Sequence, residues 1–565
     1  YYHGYRGGFT AEITQGLRRL AGGGPFDPNG WNAEHKAEWL RRELRRAGGQ
    51  IWLGSIVSGA VVEGRRVCGV VANTPWGRGL VRAGVVVDAT GNADVAAAAG
   101  APCRTASDCE LAVQGSGLPS RPFLPAYHNT DYTFVEDSDP ADVTRAFVAA
   151  RRKFSAAFDV APLVDTRERR QIVGDVTVTP LDVYTGGTWR DAVCLSRSNF
   201  DSHGFTVHPL FLALPPDRVS VDAWLPLRAL LPRRTSGLLV IGLGLSAQRD
   251  VMPVLRMQSD VQNHGYAAGL VAAEAARAGH GDGRRVAVRP LQRRLARLGI
   301  LPAAALLHTD RRAPERRAAA EAAAGDLGTH AEVAALLARP DTARPRLRER
   351  LRTEREPEIR LRCAKVLAAL GDATGEETLL EALAPAAWDE GWNYRGMGQF
   401  GRSLSPMDEA IVCLALLRSA RARPAVLAKT ARLDAAAAFS HFRAVALFAE
   451  AAGGAEFAPA LAERLRQPGI GGHAWLRLAD ELAAVSQDDN DNRSRNEALR
   501  ELYLARALYR CGDWEGLGRR TLEAYARDIR GHFARHAAAV LGARSGCASD
   551  GSASTPRGIV PRPAV

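Results

Sequence analysis

The stretch VVVDATGNADVAAAAGAP, residues 85–102, constrains this chain more than any other. Three valines lead into Asp88, an Ala-Thr-Gly turn follows, and an alanine-rich helical run begins within a few residues. A buried strand opening through glycine into a helix is a building unit of an α/β sheet. Gly91 has no side chain and Thr90 carries only a short hydroxyl, so the main chain can pass close to a flat ligand here. Asp88 reads as structural.

The residues before it set the context. AEHKAEWLRRELRRA, residues 33–47, has helical spacing and stops at Gly48-Gly49. From Ile51 the period changes to two, with breaks at Glu63-Gly64 and Pro75-Trp76-Gly77 and a final strand over 85–89. That pattern predicts an antiparallel meander returning to a parallel sheet.

A second element of the same kind lies at GLLVIGLGLSAQ, where the strand 238–241 opens into Gly242-x-Gly244. SDVQNHGYAAGLVAAEAARAG then predicts a helix with Gly265, Ala268, Gly269 and Ala272 on one face. Backbone N–H groups and a positive helix end in such a place suit an anion or a polarised carbonyl.

Past residue 284 the chain turns almost wholly helical. EPEIRLRCAKVLAALGDATGEETLLEAL has the helix, Asp/Gly turn, helix form of a HEAT-like repeat, with echoes beginning near Met407, Ser440 and Glu497. AWDEGWNYRGMGQFGRSLSP interrupts them, and its Trp388, Trp392, Tyr394 and Phe400 read either as a lid or partner surface or as packing between repeats. His441 and Arg443 read as contacts between helices. The domain reading is 1–102 and 226–283 for one α/β domain, 103–225 for an inserted α+β domain, 284–542 for the helical domain and 543–565 for a disordered tail.

Composition excludes several classes. At 46% hydrophobic and 24% charged, the 565 residues read as globular. No apolar run reaches the roughly 20 residues that span a bilayer, so no membrane segment is expected. The formal charge is +12, yet only Lys36, Lys153, Lys365 and Lys429 are lysines and the arginines are interleaved with acids, so no nucleic-acid partner is expected. The eight cysteines include no CxxC pair and no His at metal spacing, which predicts no metal site and a reduced, cytoplasmic setting.

Taken together, VVVDATGNADVAAAAGAP, RERRQIVGDVTVTPLDV at 167–183, NFDSHG at 199–204 and GLLVIGLGLSAQRDVMPVLRMQSDVQNHGYAAG at 237–269 resemble the FAD-dependent oxidoreductases of the glutathione-reductase-like fold. The narrower likeness is to the bacterial FAD-dependent oxidoreductases that carry extra C-terminal domains, over roughly residues 1–280. The resemblance implies a Rossmann-like FAD-binding domain, incomplete in this chain, with substrate bound over the flavin by the inserted domain. It implies cofactor contacts at Ala89, Thr90, Gly91, Gly242, Gly244, Asp250, Arg256, Met257 and Gln258. Arg249 and Asp250 stand where family members usually carry a His. The family also opens with a GxGxxG turn, and this chain enters at YYHGYRGGFTAEI instead. The expectation is that a second polypeptide, encoded apart or released by cleavage, supplies the ADP-binding segment, in an assembly compatible with a higher oligomer; the alternative is a longer chain of which these residues are a part.

Flavin chemistry needs a proton acceptor near the substrate. His203, with Asp201 two residues away, is the first choice, and His3, beside Tyr2, is the second. Tyr2, Arg167, Asp201, Arg228 and Arg249 are the expected substrate contacts, the arginines through forked bonds to a carboxylate; Arg170 is a further candidate. The expected activity is removal of a hydride from a small polar or amino-bearing substrate. A HEAT-like interaction scaffold with a non-functional flavin domain and a flavin monooxygenase are the alternatives.

Overall fold

Period-two alternation from Ile56 to Arg82 folds as an antiparallel meander, because each valine that turns inward places its neighbour outward. In the computed structural model, which describes residues 4–22, 32–105, 110–111, 114–121, 130–161, 166–396 and 401–543, strands β1 (Ile56–Glu63), β2 (Arg66–Thr74) and β3 (Gly77–Arg82) pair in that order. Glu63 pairs with Arg66 and Thr74 with Gly77, so Gly64-Arg65 and Pro75-Trp76 are two-residue hairpin loops. Both lie at the breaks read from the sequence.

The chain divides into two units. Unit 1 comprises Tyr1–Thr105, Arg169–Asp201 and Arg218–Ala313, and unit 2 comprises Ala106–Glu168, Ser202–Asp217 and Pro314–Val565. The segment 103–225, which reads as one stretch of sequence, is therefore shared between them.

In unit 1, β4 (Val86–Asp88) lies parallel to β9 (Leu238–Val240), with Leu238 opposite Val86 and Val240 opposite Asp88. Antiparallel pairs join β5 (Cys103–Thr105) to β6 (Arg170–Ile172), and β7 (Ala192–Ser198) to β8 (Val221–Pro226). Val67, Val95, Ile172, Leu238 and Val240 form a core between these elements. The helices Phe9–Leu20 and Ala33–Arg46 pack through Ile13, Leu17 and Trp39. Gly16 permits that approach, since a Cβ there would sit 1.9 Å from Trp39 Nε1.

Among the described residues, unit 2 is mixed α/β in its first part and predominantly helical beyond Pro314. Its helices include four consecutive pairs: Pro357–Ala369 with Glu376–Glu381, Pro406–Leu416 with Arg423–Thr430, Phe439–Ala452 with Phe457–Leu465, and Arg493–Arg510 with Leu517–Tyr525. The first helices of successive pairs pack side by side in chain order. At the Asp/Gly turn, Asp372 accepts from Thr374 N at 3.0 Å and from the Thr374 hydroxyl at 2.6 Å.

Trp388, Trp392 and Tyr394 of the aromatic interruption pack against the helices. Trp388 stacks on His441 with centroids 4.2 Å apart, and Trp392 and Tyr394 meet Phe439 at 6.3 Å. His441 also bonds Asp408 on the neighbouring helix at 2.7 Å, and Arg443 lies 4.1 Å over the Phe205 ring. Phe400 and the tail beyond Ala543 lie outside the described residues.

A buried ion triad ties the early part of unit 2 to its helices. Arg145 Nε donates to Asp142 at 2.6 Å and Nη1 to Glu481 at 2.6 and 2.8 Å, while Nη2 donates to Phe134 O at 2.7 Å. Among the described residues, no helix is long and apolar enough to cross a membrane.

Candidate cofactor and active-site residues

Two turns leave the carboxyl ends of neighbouring parallel strands in unit 1. β4 ends at Asp88, β9 at Val240, and Ile241 N donates to Asp88 O at 3.0 Å. In open α/β sheets the space outside these ends is where ligands bind.

Asp88 shapes the first turn. It is 1% exposed, and its Oδ1 accepts from Thr90 N at 3.1 Å and from the Thr90 hydroxyl at 2.7 Å. Its Oδ2 accepts from Ala96 N at 3.0 Å, while Thr90 Oγ1 accepts from Asp94 N at 3.0 Å. One carboxylate thus fixes the turn and satisfies the start of the helix Asp94–Ala98. Ala89 and Thr90 are left exposed.

Gly91 (φ +77) and Gly242 (φ +67) adopt left-handed backbone, and a Cβ on either would meet no atom within 4 Å. Gly244 differs, for its Cβ would lie 3.0 Å from Ala93 N, so the two turns back onto each other there. Open space before two bare turns fits a flat cofactor.

Beyond Gly244, Arg249 Nη1 donates to its neighbour Asp250 at 2.8 Å, and both are buried. Arg256 Nη2 donates to Asp201 O at 2.6 Å. Met257 precedes the helix Gln258–Arg277 without a capping side-chain bond, and Gln258 is exposed. An N-terminus of this kind favours negative charge nearby.

The segment after Gly4 is fastened to this helix. Tyr5 N donates to Asp260 at 2.6 Å, and Asn263 Nδ2 donates to Tyr5 O at 3.3 Å and Gly7 O at 3.1 Å. Tyr2 and His3 lie outside the described residues.

Sequence reasoning missed two groups on this helix. Burial pushes the Asp260 carboxyl up to about 7, against the bonds it accepts from Tyr5 N and Arg197 N. Burial pushes His264 down to about 3, so it is neutral, with Nε2 at 2.9 Å from the Ser196 hydroxyl. A polar residue at helical spacing among glycines and alanines was the available signal.

The arginines are engaged. Arg228 Nη2 donates to Asp191 at 2.7 Å and Asp310 at 2.6 Å. Arg170 donates to Asn92 O at 3.2 Å and Asp94 at 2.9 Å, while Asn92 Oδ1 accepts from Arg170 N at 2.7 Å. Asn92, absent from the sequence-based set, therefore links β6 to the first turn.

In unit 2, His203 is 2% exposed with φ +51, and its Nδ1 bonds Asp131, which lies 72 positions earlier in the chain. Asp201, the expected neighbour, belongs to unit 1. Arg167 donates to Asp131 at 3.3 Å and also to Gly115 O, and Gly115 N donates to His203 O at 2.9 Å. Burial works to raise the Asp131 carboxyl, but the bond from His203 and the charges of Arg167 and Arg495 hold it below the usual carboxylate range. No sequence spacing announces Asp131.

Neither a curated protein nor a solved structure matches the chain. A family model described as FAD dependent oxidoreductase matches residues 3–154 and 126–295. The cofactor is FAD, and the turns at Ala89–Gly91 and Gly242–Gly244 with the helix start at Gln258 are the groups of unit 1 that suit it. The matched residues span more than half of the sequence, and the chain belongs to the FAD dependent oxidoreductase family.

Proposed function

We propose that this oxidoreductase removes a hydride from a carbon of a small polar or amino-bearing substrate, with unit 1 acting as a Rossmann-like FAD domain and the helix pairs of unit 2 as a HEAT-like array. The observation that carries the reading is the pair of bare glycine turns at the carboxyl ends of β4 and β9, both facing open space. FAD, when bound, supplies a two-electron acceptor. Ala89–Gly91, Gly242 and Gly244 would hold it by main-chain contact, and the N–H groups that open the helix Gln258–Arg277 favour its negative charge.

His203 is the proposed proton acceptor. A proton on Nδ1, held toward Asp131, puts the imidazole lone pair on Nε2, and the Asp131 carboxylate stabilises the cation formed on proton uptake.

The test is the absorbance spectrum of protein purified from its native host, followed by dye-reduction and oxygen-consumption assays over amines, alcohols and amino acids. Bound flavin with turnover of one of these classes is expected. A colourless protein would overturn the reading. His203→Gln should retain flavin absorbance and lose about 10²–10⁴-fold in kcat, the usual worth of a general base.

A further inference from the structure

Unit 2 contains a cavity of about 300 Å³ walled by residues of that unit alone, at the lower end of the volumes found for small-molecule sites. Tyr132, Phe134 and Trp475 give it aromatic walls, and Lys153 and Arg495 line it too. Both cations are buried, at 5% and 2% exposure, and among the described residues neither has a carboxylate oxygen within 4.0 Å.

Their contacts are to main chain and rings. Lys153 Nζ donates to Ser486 O at 2.6 Å and to Asp488 O, with the acids Asp488, Asp489 and Asp491 at longer range. Arg495 Nη2 donates to Asp131 O at 2.6 Å and Thr133 O at 2.8 Å. Its guanidinium lies 4.7 Å from the Tyr394 centroid and 5.4 Å from that of Phe134, and its Nε has no hydrogen-bond partner.

Two of the three carboxylates of the wall have arginine partners, and the third faces a histidine. Glu481 is held by Arg145, Asp491 lies 3.3 Å from Arg493, and Glu497 lies 3.8 Å from His473. Among the described residues, two buried cations thus have no carboxylate at ion-pair distance in a cavity with aromatic sides. Asp131, already bonded by His203 and Arg167, acts on Arg495 only at longer range, as the three loop acids do on Lys153. A buried charge is most stable when matched at close range. The three wall carboxylates disfavour a second negative charge on whatever enters.

We propose that this cavity is a binding site for a small aromatic monocarboxylate. Titration calorimetry on the full protein, with benzoate as probe and benzamide and inorganic phosphate as comparators, tests it. Benzoate should bind one per chain, at least about tenfold more tightly than its neutral isostere benzamide, since a charge-assisted contact exceeds a neutral one. Phosphate should not bind.

Two variants localise the site. Lys153→Gln should weaken benzoate by about tenfold or more, and Ala149→Phe, which fills the cavity from a wall residue that is 1% exposed, should abolish binding. Circular dichroism checks that both fold. No heat with benzoate, equal binding of benzamide, binding of phosphate in its place, or benzoate binding that perturbs the flavin spectrum and survives Lys153→Gln would each overturn the proposal. The first three read the unmodified protein, so they hold even if a variant fails to fold.

Discussion

Glycines do opposite work in the two units. In unit 1, Gly91 and Gly242 face space with no atom within 4 Å of where a Cβ would stand. In unit 2, a Cβ on Gly375 would lie 2.7 Å from Ala364 Cα, and one on Gly391 would lie 2.6 Å from His441 Nε2. The first pair keeps a surface bare, while the second lets helices and loops close on one another. The residue type is the same in both units, and only the surroundings tell a binding turn from a packing spacer.

The buried charges differ in the same way. Arg145 in unit 2 is surrounded by acids and a carbonyl, whereas Asp260 in unit 1 is buried with backbone N–H partners and a more distant cation. The largest expected effect is therefore Arg145→Met. Leaving Asp142 and Glu481 buried without their cation should cost about 3–5 kcal/mol in a denaturant titration.

Asp260 sharpens the contrast through pH. Its folded pKa is raised, from an ordinary 3.8 to about 7, so folding favours the protonated acid. The stability it contributes is fully present below about pH 4 and is lost as pH rises through about 7, a change on the order of 2–4 kcal/mol. Thermal melting from pH 4 to 8 should show this fall, and Asp260→Asn should flatten it.

Gly375→Val should destabilise by about 1–3 kcal/mol through overpacking against Ala364. Gly91→Ala should cost only about 1 kcal/mol, the strain of a left-handed alanine. It should nevertheless lower the flavin bound per chain, because the new methyl enters the open space. Equal flavin content in Gly91→Ala and wild type would break the comparison. At the small end, Glu38→Gln removes a partly exposed partner of Arg41 and Arg42 and should leave the melting temperature unchanged.

Much of unit 1 was legible in the sequence. The meander, its two hairpin loops, the strand ending at Asp88 and the glycines after Val240 all follow from local periodicity and turn chemistry, which act over a few residues. The helix pairs of unit 2 were legible for the same reason. The side-chain partnerships were not. Asp201 stands two residues from His203 in sequence, yet the carboxylate bonded to Nδ1 of the imidazole is that of Asp131. The ion pairs that Arg228 makes with Asp191 and Asp310 were not legible either.

Local pattern alone thus set the elements and the two bare turns, and the run of residues from Val85 through the turn at Gly91 carried the strongest single signal. Tertiary structure alone decided that the two turns lie at adjacent strand ends, that segment 103–225 is divided between two units, and which acids neutralise which bases. Periodicity is a property of neighbours along the chain. A hydrogen bond between positions 131 and 203, or between 145 and 481, depends on how distant segments return to one another, and only the folded chain specifies that.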